Sequence, residues 1–516
     1  MKIIIILSFL LISTASFGQT IKFQISGIED TTLNLVRYFG KGLYYADTAD
    51  MKGGIIEFDG SKQKAGILAL FLPGQNLLEF VYNHEDVSIE ARAVNPMASV
   101  VAKKSEENKI FFGYTAFLRT QRTKTTAWSN ELKTLKPENP RHKELTDLVK
   151  GTSKKVVAYQ QNIVDTKSDM LVAGIIKMSM DVVIPDAPLD ADGSPLDSNF
   201  RYKYFREHYF DNIDLTDDRL VRTPIFHGKL ANYFGETMMI QHWDTVIKYA
   251  FDFCDRLPPK SDMLQYCVSW ITSNFEQSKI MGMDKVLVYM GNRYYRPKDE
   301  NGESVAHWMP KDKLETLIKR VDETQGLVMG ARPANLILRD TTDTNDSWTD
   351  YYSLKSDYTI LYFWDPNCGH CKKVTPKLQT LYEKKFRDRN IEIFAIGKAV
   401  GKDFEDWKSF IKDNNLEFIN VAVTDQVYTA AKDTTPGALG ARQFIPKYTT
   451  LESLNYQQTF DVFQSPKVFI LDKDKRIIAK SLSISQIEEM LDKAQGFQDL
   501  EKIFPKSEEP EDEQIH

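Results

Sequence analysis

Residues 359–371, Thr359-Ile360-Leu361-Tyr362-Phe363-Trp364-Asp365-Pro366-Asn367-Cys368-Gly369-His370-Cys371, set a β-branched and aromatic run directly ahead of a cysteine pair. Such a run, closed by turn residues, reads as a buried strand, and Asp365-Pro366-Asn367 turns the chain out of it. Val374, Leu378, Leu381, Tyr382 and Phe386 then recur at helical spacing. The pattern predicts a helix with Cys368 at its N-terminus and Cys371 one turn inside. Unpaired amides and the positive end of a helix favour a thiolate at Cys368, and a proton on His370 adds to this when it is present. Two intervening residues let one thiol reach the other without unfolding the helix, so the expected chemistry is that of a redox dithiol.

Half a zinc site would use the same spacing. Zinc needs four ligands, usually as a second pair. The other cysteines, Cys254 and Cys267, are thirteen apart in a helical region, and the eight His are scattered without ligand spacing. No metal and no cofactor is therefore assigned. Cys254 and Cys267 flank a turn at Pro258-Pro259 with unequal offsets, which leaves both a disulfide and buried thiols open. Asp190-Ala191-Asp192-Gly193, in a loop from Ile184 to Pro195, lacks the alternating ligands and closing Glu of an EF-hand and reads as a solvated turn.

Outside this stretch the chain has room for more. Its 516 residues correspond to roughly three globular units at about 150 residues each. Hydrophobic residues at 42% and charged residues at 27% exclude collagen-like, coiled-coil and wholly disordered chains. The net charge of −6 leaves no footprint for nucleic acid. Met1-Lys2, an apolar run from Ile3 to Ile12 broken by Ser8, and a small-residue exit with Ser16 and Gly18 read as a signal peptide over 1–18. The run is short of the ~20 residues that span a bilayer, and no Cys follows it as in a lipoprotein. The mature chain is expected to be exported, not membrane-spanning, and periplasmic in a Gram-negative cell, where disulfides persist.

From Ile21 the alternation Ile21-Lys22-Phe23-Gln24-Ile25 and further short runs at Thr32–Phe39, Ile55–Phe58, Gly66–Leu72, Leu77–Tyr82 and Val87–Ala91 predict an all-β domain over 19–98. Residues 104–324 show helical spacing instead, as at Trp243, Val246, Ile247, Ala250 and Phe251. The aromatic cluster Tyr202, Tyr204, Phe205, Tyr209 and Phe210 reads as core rather than a carbohydrate platform. The fold class is thus multidomain: an N-terminal all-β domain, a central mainly α domain and a C-terminal α/β domain.

Phe363-Trp364-x-x-x-Cys368-Gly369-His370-Cys371-Lys372-x-x-x-Pro376 resembles the active-site motif of the thioredoxin superfamily. Phe463-Gln464-Ser465-Pro466-Lys467-Val468-Phe469 resembles that family's cis-proline segment, and Gly330-Ala331-Arg332-Pro333 the entry strand of the periplasmic TlpA/ResA branch and its AhpC/TSA peroxiredoxin relatives. The resemblance covers about 326–497. It implies a thioredoxin-like fold, Cys368 and Cys371 as catalytic residues, and support from Trp364, His370 and Pro376. It further implies that Ser465 and Pro466 present backbone to an extended substrate, with protein thiols and disulfides as partners and a membrane-bound electron donor or acceptor. Lys52-Gly53-Gly54-Ile55-Ile56-Glu57-Phe58-Asp59-Gly60 resembles a small β domain of unknown function that precedes such folds, and the helical region resembles a second uncharacterised one.

Around the motif, Ile391–Ile396 and Phe418–Val423 read as strands and Phe404–Asn414 as a helix, while Asp425–Thr459 is longer than the family core requires and would shape a substrate surface. Ser485-Gln486-Ile487-Glu488 predicts a capping box for the last helix, and 498–516 an acidic disordered tail. Tyr362 stands where many thioredoxins carry a buried acid. Cys-Gly-His-Cys is also the sequence of protein disulfide isomerase, a composition that raises the potential. The expected function is exported thiol–disulfide exchange. A peroxidase is the enzymatic alternative, although the Pro-x-x-x-Thr/Ser-x-x-Cys arrangement is missing. A non-enzymatic envelope binding protein is the other.

Overall fold

The computed structural model describes residues 19–297 and 304–508, and the predicted signal segment lies outside the described residues. Two compact units are formed, one from 19–240 with 251–267, the other from 241–250 with the described residues from 268 onward.

The first unit opens with β1 (Thr20–Ser26), β2 (Thr32–Phe39), β3 (Gly42–Asp50), β4 (Ile55–Asp59), β5 (Gly66–Leu72), β6 (Asn76–Tyr82), β7 (Val87–Arg92), a short α1 (Pro96–Ser99) and β8 (Val101–Lys104). They make two four-stranded sheets, β4-β1-β7-β8 and β3-β2-β5-β6. Ile21, Phe23 and Ile25 of β1 point inward at every second position, and the Phe23 ring meets Phe80 of the other sheet at 5.2 Å. β3 and β8 escaped the sequence reading for one reason. Both are edge strands without a buried side chain, so neither shows alternation.

Helices α2 (Glu106–Leu132), α3 (Pro140–Thr166), α4 (Leu171–Ser179), α5 (Phe200–Glu207) and α6 (Pro224–Tyr233) follow in the same unit. Asn108 of α2 is fully buried, and its amide both accepts from Val81 N–H (2.9 Å) and donates to Val81 C=O (2.7 Å). That satisfies an edge position of the sheet with a helix side chain. Of the aromatic cluster, Tyr209 and Phe210 are core, whereas Tyr202 is exposed and donates to Met238 C=O. The Asp190 carboxylate accepts the N–H groups of Asp192 and Ser194, an Asx-type turn. Cys254 and Cys267 are buried thiols, and burial holds the Cys267 pKa well above its ordinary value.

The unit division falls within α7 (Trp243–Cys254) and α8 (Asp262–Glu276). The second unit then adds α9 (Asp284–Met290), α10 (Lys311–Gln325), β9 (Ile337–Arg339), β10 (Trp348–Asp350), β11 (Tyr358–Trp364), α11 (Gly369–Leu381), β12 (Ile391–Ala399), α12 (Asp403–Asp413), β13 (Ile419–Thr424), α13 (Asp425–Lys432), α14 (Leu451–Leu454), α15 (Tyr456–Thr459), β14 (Lys467–Leu471), β15 (Ile477–Lys480) and α16 (Ile484–Ala494). Its seven-stranded sheet runs β10-β9-β13-β12-β11-β14-β15, with β11 parallel to β12 and antiparallel to β14.

β11 lies in the interior of the sheet and is buried on both faces, as its unbroken apolar run requires. Ile360, Tyr362 and Trp364 pack with Cys371, Val374 and Leu378 of α11 on one face. Leu361 and Phe363 pack on the other with Leu327, Met329 and Trp243, residues that precede the sheet. The compact unit therefore divides the chain differently from element type, because residues ahead of β9 build part of this core. Lys480 of β15 pairs with Asp284 of α9 and donates to Leu327 C=O (2.8 Å).

Two local corrections concern the end of the chain. The capping box is Ser483 with Gln486, two residues ahead of the expected one. Glu488 is instead buried, paired with Lys385, and accepts the N–H groups of Ile503 (2.8 Å) and Phe504 (2.9 Å). Residues 502–504 of the expected disordered tail are consequently placed against α16, with Lys502 also pairing with buried Asp492 at 2.6 Å.

Gly397 of β12 lies under the fully buried Trp407 of α12, and a Cβ built there would sit 2.1 Å from the indole nitrogen. Gly397→Ala is expected to destabilise this unit by about 1–3 kcal/mol through overpacking. The thermal midpoint of its unfolding transition is the measurement.

Candidate functional site

The parallel register of β11 and β12 sets Trp364 beside Gly397. The next residues, Asp365 and Lys398, meet at 3.1 Å where the two strands end, and Lys398 also pairs with Asp403 at 2.9 Å. Asp365 accepts from Asn367 N–H (2.7 Å), and the Asn367 amide donates to Asp403 and Asp406, each at 2.9 Å. These contacts fix the turn that delivers Cys368 to the N-cap of α11. Reading along the chain missed the network. The available signal was an acid and a base, each just past an apolar run.

Cys368 is half-buried, and its thiol lies 3.4 Å from Ser465 C=O, donating to it. Burial opposes its thiolate. The backbone N–H and thiol of Cys371, the His370 N–H and the Ser465 side chain favour it and win, so the pKa falls below the ordinary thiol value. Cys371 is fully buried and accepts from Asp365 N–H at 3.5 Å. Burial dominates there and pushes its pKa up to about 12, against the Asp365 N–H and with the adjacent Cys368 charge. One helical turn thus separates a thiol poised to ionise from one held protonated.

The other expected residues take distinct places. The Ser465–Pro466 peptide is cis and faces Cys368 through Ser465. Trp364 is buried in the core beneath α11, its ring 5.2 Å from that of Phe410. Pro376 lies inside α11 and leaves the Lys372 carbonyl without its usual donor. His370 occupies the second position of the helix, and its Nε2 has no hydrogen-bond partner among the described residues. Tyr362 is fully buried with its hydroxyl 2.8 Å from Thr375 Oγ1, and burial holds its pKa well above the ordinary phenol value. It sets a neutral hydroxyl, not a charge, against α11. Among the described residues no group of three or more His, Cys, Asp or Glu is placed to hold a metal ion.

Residues 356–477 match the family described as thioredoxin-like. The C-terminal domain is thioredoxin-like. Ahead of that domain, residues 162–319 match a domain of unknown function, DUF5106. Among solved structures, a domain of a possible thiol-disulfide isomerase from Cytophaga hutchinsonii is 27% identical, covering 33% of this chain and 94% of its own, with a TM-score of 0.25. The thioredoxin domain of a thiol-disulfide oxidoreductase from Bacteroides vulgatus is 17% identical, over 32% of this chain and 97% of its own, with a TM-score of 0.25. A thioredoxin-like protein from Bacteroides caccae is 17% identical, over 60% and 99%, with a TM-score of 0.30. No curated protein matches the chain. Among the described residues no helix is long and apolar enough to cross a membrane.

Proposed function

We propose that the chain is an exported thiol–disulfide oxidoreductase whose working pair is Cys368 and Cys371. The observation that carries this reading is the opposed state of the two thiols, with Cys368 lowered and open at a helix N-terminus and Cys371 raised and buried behind it. The Cys368 thiolate attacks one sulfur of a protein disulfide. A mixed disulfide forms, the substrate S–S bond breaks, and the departing thiolate takes a proton from solvent. Cys371 then loses its proton and attacks Cys368 Sγ, which releases the second substrate thiolate. The substrate is reduced and the pair becomes a disulfide, and a dithiol donor at the membrane returns it to the reduced state. Oxidation of a substrate runs the same steps in reverse.

Ser465 and Pro466 receive the substrate backbone, Trp364 and Pro376 hold the strand and helix that carry the pair, and the β-rich and helical regions position partners. The Met1–Gly18 segment supports export to the periplasm. Cys371→Ser expressed in an exporting cell tests the reading. Covalently held proteins released by reductant support it, and their absence argues against it.

His370 contributes its backbone N–H to the Cys368 thiolate, so His370→Pro removes that donor at a helix position where proline is tolerated. A hydrogen bond to a charged group contributes about 1.5–3 kcal/mol, and 1.4 kcal/mol corresponds to about 30 mV for a two-electron couple. The potential of the pair is expected above about −270 mV in the native chain and roughly 30 mV lower in His370→Pro, with a smaller change in His370→Ala. Equilibration against glutathione with thiol alkylation measures all three.

A further inference from the structure

A cleft of about 860 Å³ lies between α2 and α3, wholly within the first unit. Its volume is that of a small-molecule site. On α2 the lining recurs at helical spacing from Thr115 to Lys133, which at 1.5 Å per residue is about 27 Å of helix.

The cleft accepts hydrogen bonds at one end. Gln160 of α3 is only 7% exposed, and its Nε2 donates to the Tyr114 hydroxyl at 2.8 Å and to Ser179 Oγ at 3.3 Å. Ser179 gives its own proton to Ile176 C=O at 2.6 Å, so toward Gln160 it can only accept, which fixes the amide with nitrogen on that side. The Gln160 carbonyl oxygen is left without a hydrogen-bond partner among the described residues. A buried side chain with an open acceptor calls for a donor from outside the chain. Asp181, the one acid of the lining, stands two residues beyond Ser179 and adds a second acceptor to this end.

Cations line the rest of the α2 wall. Arg119, Arg122 and Lys133 face the cleft, and none of them makes an ion pair among the described residues, while Arg119 also donates to Met97 C=O at 2.6 Å. Between the two ends stand Leu118, Val156 and Val157, the last 51% exposed. The remaining lining is uncharged and polar by residue type, but much of it is less polar by atom. Thr115, Thr125 and Thr152 donate their hydroxyl protons to Phe112, Gln121 and Leu148 C=O of their own helices, which leaves methyl groups and lone pairs for the cleft. A second copy of the hairpin would set these cations against themselves, and a neutral ligand would leave them unused.

We infer that this cleft binds an amphipathic organic anion that carries a hydrogen-bond donor at its far end. The anionic group sits between Arg119 and Arg122, the apolar body runs over Leu118, Val156 and Val157, and an N–H or O–H meets the Gln160 carbonyl. Arg119 and Arg122 lie four and seven residues past Thr115, about 6 and 10 Å along the helix, which sets the length of the body between the two polar groups. The inference goes beyond the oxidoreductase reading and gives the helical region a ligand of its own.

The probe is 11-(dansylamino)undecanoate, which joins a carboxylate to an N–H through an alkyl chain, titrated into the full chain and followed by dansyl fluorescence. Saturable binding is expected, with the uncharged methyl ester about tenfold weaker, the loss of one charge-assisted hydrogen bond. Arg122→Glu should weaken the acid at least about tenfold and leave the ester within about twofold. Val157→Asp should weaken both. Arg122 and Val157 are exposed, so neither variant threatens the fold, and insulin reduction is expected to stay native in both. No saturable binding, equal affinity for acid and ester, or unchanged affinity for the acid in either variant overturns the inference.

Discussion

Insulin reduction by dithiothreitol is expected to fall to the rate without protein in Cys368→Ser. The serine hydroxyl does not ionise near neutral pH, so the helix terminus and the donors around Cys368 have no anion to stabilise. Cys371 cannot substitute for it. It is fully buried, and its pKa near 12 leaves almost no thiolate. Cys371→Ser should behave in the opposite way, with attack intact and resolution lost, so mixed disulfides accumulate. Intact-mass measurement shows them as adducts that dithiothreitol removes. Native turnover in Cys368→Ser would end the assignment of the nucleophile.

Iodoacetamide is expected to modify Cys368 at least about 30-fold faster than Cys371 at pH 7 in the reduced protein. Cys368 lies below the ordinary thiol value of 9.0 and Cys371 near 12, so the pair differs by three or more pH units. About half of that advantage in thiolate population is offset because nucleophilicity falls with pKa, which leaves a factor of roughly 30 before access is considered. Burial of Cys371 adds to it. The Cys368 rate should rise with pH and level off below pH 9, while Cys371 stays slow throughout. Peptide mapping after timed alkylation separates the two. Equal rates would mean that the thiols are not differentiated as their surroundings require.

The redox motif was legible because its parts are neighbours in the chain. A strand, a turn and a helix lie within residues 358–381, and the apolar periods of strand and helix read directly off the sequence. The Lys398–Asp365 pair was not legible, since it joins residues 33 apart through strand register. Two Ser-x-x-Gln/Glu patterns overlap at the last helix, and only tertiary structure chooses between them. Glu488 is claimed by Lys385 and the Ile503 and Phe504 amides, which leaves the box to Ser483 and Gln486. β3 carried no signal because none of its side chains is buried. The ion pair between Arg320 of α10 and Asp461 was not legible either, because the two residues lie on opposite sides of the redox motif in sequence.

Successive residues of β11 belong to different cores, Tyr362 and Trp364 to that of the redox helix, Leu361 and Phe363 to that shared with Trp243, Leu327 and Met329. For a geneticist this divides a single strand into two alleles' worth of phenotype. Mild lesions at 362 or 364 should be rescued by compensating changes in α11, and lesions at 361 or 363 by changes more than thirty residues upstream, near Leu327 and Met329. Suppressors of adjacent codons would then map to opposite faces of one sheet and fall into two groups that do not exchange.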